Sequence, residues 1–379
     1  MKILIPELAS AFLALTGLAA TLPMKEPRLT EEQGSAQLAS FAAAWHTRPE
    51  WEARAHNIRD GILRGANLQP LPTRNDLKAI AWGRQERRGY TVENVAFESL
   101  PGFFVTGNLY RPSHGAGPWP AMLCPHGHGP GAPRVNSTTQ TRCAALARMG
   151  VMAFAYDMVG YGDSTQLAHK DPNALTFQLW DSIRALDYLT ALPGVDATRL
   201  GATGESGGGT QTFLLGAVDD RLTLSVPVVQ VSAHFFGGCV CESGLPIHHS
   251  ATHDTDNVEI AALFAPRPMC VISDGKDWTR NVPKVEFPYI QRVYEVFGAS
   301  TNVANVHLAD EGHDYGPSKR RAMYAFVAEK WGLRAADADE TDAVADTNSL
   351  RVFTAEHPRP AYALEGGAAV AEALAKARR

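Results

Sequence analysis

From about residue 90 onward, short apolar runs alternate with segments of helical period, and this alternation predicts most of the fold. Ahead of it, residues 35–68 carry Phe41, Trp45, Trp51, Ile58, Ile62 and Leu63 near helical spacing, until Pro70 and Pro72 end the pattern. That stretch reads as a helical arm packed on the main domain, its tryptophans serving as core rather than as ligand contacts. Two β-rich runs, 90–98 and 103–111, flank Leu100-Pro101-Gly102 and predict an antiparallel hairpin. Residues 120–125, 151–156, 199–203, 222–231, 269–273 and 303–308 read as further short strands, most of them buried. Between them, 138–149 predicts a helix, and 175–192 an amphipathic one with Leu179, Ile183, Leu186 and Leu189 on one face. Another helix is expected over 210–217, beginning after the glycines at 207–209.

Strands alternating with helices after an opening hairpin predict an α/β fold: a mostly parallel central sheet, an antiparallel N-terminal hairpin and helices on both faces. The irregular stretch 233–262 reads as a small cap insertion in a domain spanning 86–334, preceded by the arm at 35–85. Residues 335–379 read as an acidic linker and a terminal helix. Residues 1–22 have the make-up of a signal peptide, Met1-Lys2 followed by an apolar run, with cleavage expected near Ala19 or Ala20. The run is too short to predict a transmembrane span. A secreted or periplasmic location follows, or a cytoplasmic one if the segment is an ordinary helix.

Composition narrows the function. With 379 residues and 45% apolar content, the chain can bury a sizeable core. Its net charge is −5 and it has no long basic cluster, which argues against nucleic acid as a partner. The five cysteines do not form a disulfide framework. Cys124, Cys143 and Cys270 sit in apolar runs as core residues, while Cys239 and Cys241 offer too few ligands for zinc.

The chemistry centres on Gly204-Glu205-Ser206-Gly207-Gly208-Gly209, which contains Gly-x-Ser-x-Gly between an expected strand and an expected helix. Such a turn exposes the serine as a nucleophile, and glycines beside it allow a backbone too tight for Cβ atoms. A serine hydroxyl needs a base, and the base needs an orienting acid. Both are expected in chain order on the loops after later strands. Asp274-Gly275-Lys276-Asp277-Trp278 follows strand 269–273, and Glu311-Gly312-His313-Asp314 follows strand 303–308. Ser206, Asp277 and His313 are therefore the candidate triad, with Asp274 and Glu242 as reserve acids. For the developing oxyanion, the Gly207 N–H is one expected donor. The other is the His128 N–H, or else that of Gly127, from Pro125-His126-Gly127-His128-Gly129. His126-x-His128 is better explained by that loop than by a metal, and His248-His249-x-x-x-His253-Asp254 lies in the cap. No metal or cofactor is expected. Asp157, in the glycine turn after strand 151–156, reads as structural.

These residues resemble the α/β-hydrolase superfamily, and within it the bacterial acetyl xylan esterase-type hydrolases, over about residues 51–333. The likeness rests on Pro101-Gly102-Phe103, on Gly107-Asn108-Leu109-Tyr110-Arg111-Pro112, on Pro125 to Gly129 and on Tyr156-Asp157-Met158. It extends through Thr203 to Thr212, Gly237 to Glu242, Ala265-Pro266-Arg267-Pro268 and Asp277-Trp278-Thr279. The resemblance implies hydrolysis of ester bonds, with acetylated plant polysaccharides or their fragments as substrates. Glu205 departs from the small residue that several relatives carry before the nucleophile. Glucuronoyl esterase-like activity is an alternative, which a basic pocket residue near Ser206 would favour. A prolyl oligopeptidase-type peptidase shares the triad order, but the region before Tyr90 is too short for a propeller. A non-catalytic binding protein on the same scaffold is the reading that an intact Ser, Asp and His opposes.

Overall fold

A computed structural model describes residues 28–378; the expected signal segment lies outside the described residues. Among these, nine strands form one sheet: β1 (Ile80–Arg87), β2 (Tyr90–Leu100), β3 (Phe103–Pro112), β4 (Trp119–Leu123), β5 (Met152–Tyr156), β6 (Val195–Glu205), β7 (Leu224–Val228), β8 (Met269–Asp274) and β9 (Val303–Leu308). Their spatial order is β1-β2-β3-β5-β4-β6-β7-β8-β9. The first three strands are antiparallel to their neighbours, and β5 through β9 run parallel. The expected hairpin is present, as Tyr90↔Pro112 through Leu100↔Phe103. β1 was not anticipated. Its residues are exposed or half-exposed along their whole length, because it is the polar edge of the sheet.

Side-chain alternation divides the core between the two faces. Ala121, Leu123, Met152, Phe154, Met269 and Val271 point into one cluster. Met122, Ala153, Ala155, Cys270 and Ile272 point into the other. The first face is covered by α1 (Glu31–Ala43), α2 (Arg48–Gly65), α4 (Ala174–Ala191), α5 (Gly207–Val218), the short α7 (Asn257–Ala262) and α8 (Glu286–Val296). The second is covered by α3 (Ser137–Arg148) and α9 (Pro317–Trp331). α6 (Val240–Ser243) lies between β7 and β8, and α10 (Gly367–Ala377) docks Val370 and Leu374 onto the first cluster.

The N-terminal arm is two helices, not one. Residues 44–47 interrupt it, and Thr47 with Glu50 forms a capping box that starts α2 with a proline in its first turn. Trp45 and Trp51 are buried as expected, their ring centroids 5.1 Å apart, and Trp45 Nε1 donates to Tyr289 Oη at 2.8 Å. Residues 338–352, expected within a linker, lie along the second face. Ala343, Ala345 and Leu350 are buried there, Val352 packs with Ala96 and Phe104, Tyr90 Oη donates to the Ala343 carbonyl at 2.9 Å, and Arg320 Nε holds Glu340 at 2.6 Å.

The strand order locates the crevice. From β4 the chain crosses to β5 on one side, then returns past it to β6 on the other side of β4. The loops leaving the carboxyl ends of β4 and β6 therefore diverge, and the gap between them is where ligands bind in open α/β sheets. Among the described residues, no helix is long and apolar enough to cross a membrane.

Candidate active site

Ser206 follows the end of β6 and caps α5 with φ 55° and ψ −123°. A left-handed φ on a residue with a Cβ is strained, costing about 1–3 kcal/mol, and persists only where the surroundings enforce it. Here they do. The Ser206 N–H donates to the Val228 carbonyl at 3.1 Å. A Cβ on Gly204 would lie 2.4 Å from the Pro125 carbonyl oxygen, and one on Gly208 would lie 2.5 Å from it. Glycine is thus required where the turn meets the loop after β4. The helix begins directly at Gly207 rather than after the glycines. The N–H groups of Gly207 and Gly208 therefore belong to the first turn of α5 and have no intrahelical acceptor.

The expected acid and base meet. His313 Nδ1 lies 2.7 Å from Asp277 Oδ2, a donation that leaves Nε2 as the outward nitrogen. Asp277 Oδ1 also accepts the N–H and hydroxyl of Thr279, each at 2.6 Å. Burial works to raise the Asp277 pKa, but the bonds from His313 and Thr279 outweigh it and hold the carboxyl below its usual range. It is therefore a carboxylate at neutral pH. The indole of Trp278 lies against the His313 ring, centroids 4.4 Å apart. Lys319 steadies the same loop from α9, its Nζ donating to the Gly312 carbonyl at 2.6 Å and to Asp314 at 2.8 Å.

Neither reserve acid stands at His313. Asp274 is buried 3.4 Å from Lys319 Nζ, and its pKa is raised by burial and then by Asp277. Glu242 is buried elsewhere, accepting from Thr210 Oγ1 at 3.0 Å, Gln230 Nε2 at 3.0 Å and the Gly238 N–H at 2.9 Å. It ties the segment around α6 to α5, the helix that follows Ser206.

The loop after β4 does abut the turn. A Cβ on Gly127 would lie 3.2 Å from Ser206 Cβ, and one on Gly207 would lie 2.8 Å from His128 Cε1. His126 locks this loop: its Nδ1 meets the Gly127 carbonyl at 2.7 Å and its Nε2 accepts the Met158 N–H at 3.0 Å. Both ring nitrogens are thereby occupied, and His126 is no ligand. His248, His249 and His253 are likewise partnered locally, with Asn257, Asp254 and the Ile247 carbonyl.

One expectation needs correcting. Cys239 and Cys241, set aside because a pair is too few for zinc, are joined by His128 and by His169 from the loop after β5. The ligand atoms of all four lie within 4.8 Å of one another. Spacing could not show this, because the histidines lie 111 and 70 positions before Cys239.

Comparison with known proteins agrees with the geometry. No family model matches the chain. The solved structure of methylesterase BT1017 is 39% identical, superposes with a TM-score of 0.86, and aligns over 93% of this chain and 82% of its own. The chain belongs to the α/β-hydrolase superfamily. YtaP of Bacillus subtilis (strain 168), named as a hydrolase, is 29% identical over 70% of this chain and 96% of its own length. The 4-O-methyl-glucuronoyl methylesterase of Neurospora crassa is 25% identical over 57% of this chain, which spans 62% of that protein.

Two features of this α/β-hydrolase escaped the sequence reading. Glu205, the unusual neighbour of Ser206, accepts from the buried Arg142 guanidinium at 3.2 Å, and Arg142 stacks on Tyr315 at 4.3 Å. Arg142 is thus engaged by Glu205, the residue beside Ser206. Beyond Trp278, Arg28, Arg280, His234 and Glu31 line a cavity of about 270 Å³ with it, in which Arg280 is paired with Glu31 and Arg28 lies over the Phe235 ring at 4.8 Å. The turn residues nominated themselves by motif, whereas these partners come from distant segments without one.

Proposed function

We propose that this hydrolase cleaves carboxylic esters of carbohydrates by a serine acyl-enzyme mechanism, with the methyl ester of a uronic acid as its preferred substrate. The observation that carries the reaction is the 2.7 Å His313–Asp277 bond combined with the strained Ser206 turn facing the crevice. Ser206 Oγ attacks the ester carbonyl carbon while His313 Nε2 takes its proton. Asp277 holds the ring in the tautomer that can accept it and stabilises the imidazolium. The Gly207 N–H and an N–H from residues 127–128 receive the developing oxyanion. His313 then returns the proton to the departing alcohol, and water, deprotonated by the same imidazole, releases the acid.

Two considerations favour a uronate ester. The 39% identical structure is named a methylesterase and the fungal relatives are named glucuronoyl methylesterases. The cavity beside Trp278 sets Arg28 and an Arg280–Glu31 ion pair next to an aromatic wall, a polar and aromatic lining suited to a sugar chain. Acetylated xylan is the competing substrate, in which the acetyl group is the acyl part and the sugar leaves. A side-by-side assay of glucuronate methyl ester, acetylated xylan and an acetylated monosaccharide decides between them. We expect kcat/KM for methanol release to exceed that for acetate release. Acetate release with no methanol would overturn the uronate assignment while leaving the serine mechanism intact.

A further inference from the structure

Three loops, leaving β4, β5 and β7, converge beside the nucleophile turn and bring together four metal-binding side chains. His128 comes from the loop after β4, His169 from the loop after β5, and Cys239 and Cys241 from the segment around α6. His128 Nε2 lies 3.1 Å from His169 Nε2, 3.2 Å from Cys239 Sγ and 3.3 Å from Cys241 Sγ. Cys239 Sγ lies 3.3 Å from His169 Nε2. We propose that these four residues hold a zinc(II) ion in a closed, structural site.

A tetrahedral zinc with about 2.05 Å bonds to nitrogen and 2.3 Å bonds to sulfur has edges of about 3.3 Å between nitrogens, 3.6 Å from nitrogen to sulfur and 3.8 Å between sulfurs. Four of the five nitrogen-containing edges come within a few tenths of an ångström of those values, and the fifth, His169 Nε2 to Cys241 Sγ, lies within 4.8 Å. The sulfur–sulfur edge is 2.6 Å. It is shorter than two unbonded thiols tolerate, and the two sulfurs crowd the same point. A metal at that point spreads them by side-chain rotation.

The surroundings orient the ligands as metal sites require. His169 Nδ1 lies 2.7 Å from the Val159 carbonyl oxygen, so this nitrogen carries the proton and Nε2 turns its lone pair to the cluster. Cys239 Sγ receives the Cys241 N–H at 3.3 Å, a donor that supports a thiolate. Two thiolates and two imidazoles in tetrahedral array select zinc over the oxygen-preferring cations. Binding displaces two protons, one from each thiol, and leaves the site neutral: two thiolates offset the ion's two positive charges. All four positions are filled by protein, so no place remains for a reacting water, and the ion's role is to clasp the three loops. The His128 ring binds metal while its backbone N–H stays available for the oxyanion.

The proposal does not rest on the esterase reading, because metal content is measured without a substrate. Elemental analysis of the full chain, expressed with zinc and dialysed free of loose metal, is expected to find about one zinc per chain. Stripping with a strong chelator is expected to lower Tm, and zinc but not magnesium to restore it. Cobalt(II) added to the stripped chain is expected to give thiolate-to-metal and tetrahedral absorption bands. Cys239→Ser and Cys241→Ser are each expected to weaken zinc binding at least tenfold. The unaltered chain alone can refute the site. Absence of bound zinc, with both thiols equally reactive in its presence, would overturn the proposal. So would a mass two daltons low from a Cys239–Cys241 disulfide in zinc-supplied protein.

Discussion

Replacing Asp277 by asparagine is expected to lower kcat for a small chromogenic ester about 10⁴-fold, with little change in KM. Asparagine preserves the shape of the site but presents an N–H₂ or a neutral carbonyl to His313 Nδ1. The imidazole is then free to take the wrong tautomer, and the imidazolium formed during attack loses its counter-charge. Asp277 carries this burden because its other oxygen is already fixed by Thr279, which leaves Oδ2 aimed at the ring at 2.7 Å. Asp274→Asn serves as the contrast. Asp274 faces the buried Lys319, so its loss should appear as lowered stability rather than lost turnover of the folded enzyme. Initial rates of the two variants, normalised to folded protein, check the assignment. A loss below tenfold for Asp277→Asn would move the acid elsewhere. The pH dependence has a definite sign. Since the folded-state pKa of Asp277 is held below its ordinary value, its stabilising contribution is present at neutral pH and disappears as pH falls through that lowered value.

The second large effect concerns the fold. Arg134→Met is expected to destabilise the protein by about 3–5 kcal/mol, because it strands buried carboxylates whose charge the guanidinium now balances. Arg134 is fully buried, with Nε 2.9 Å from Asp157 Oδ1, Nη2 2.9 Å from Asp163 Oδ2 and Nη1 3.1 Å from the Leu350 carbonyl. Asn108 Oδ1 accepts from the same Nη1. Asp163 keeps a half-exposed partner in Arg351, whereas among the described residues Asp157 keeps the Thr106 hydroxyl and the Asp163 N–H as hydrogen-bond donors. This network joins the β5 loop, the β4 loop and residues 350–352, so the damage should spread to the segment 338–352 along the second face. Denaturant unfolding at unchanged m-value measures it, and a shift under about 1 kcal/mol would show that the charges find other partners. Asp157, read as structural from its glycine turn, sits at the centre of this network.

Which parts of the molecule were legible depends on how local their cause was. Ser206, Asp277 and His313 could be nominated because each lies where an apolar run stops, and parallel strands bring all such ends to one edge of the sheet. β9 was legible to the residue and β8 within one, since each is a short apolar run bounded by turn residues, although β8 is buried throughout and β9 is half-exposed beyond Val303. β1 was not, because an exposed edge strand containing Arg84, Gln85, Glu86 and Arg87 has no apolar alternation to read. The break at residues 44–47 carried a visible sign in Thr47-Arg48-Pro49-Glu50, which the longer run of hydrophobic spacing masked. Residues 335–346 looked like a linker because alanines and acids suggest solvent, yet Ala343 and Ala345 are buried and Glu340 pairs with Arg320. Arg142 under Glu205, Lys319 under Gly312, and His169 beside the cysteines are pairings across 63, 7 and 70 positions. The two long ones depend on the crossover order of the sheet. The short one depends on α9 turning Lys319 back toward Gly312.

The most direct measurement of the central claim is covalent labelling with a fluorophosphonate, followed by peptide mass analysis. Ser206 acting as the nucleophile predicts one adduct per wild-type chain, on the peptide containing Ser206, and loss of both the adduct and ester turnover in Ser206→Ala. An adduct on another residue, or ester hydrolysis undiminished in Ser206→Ala, would contradict it.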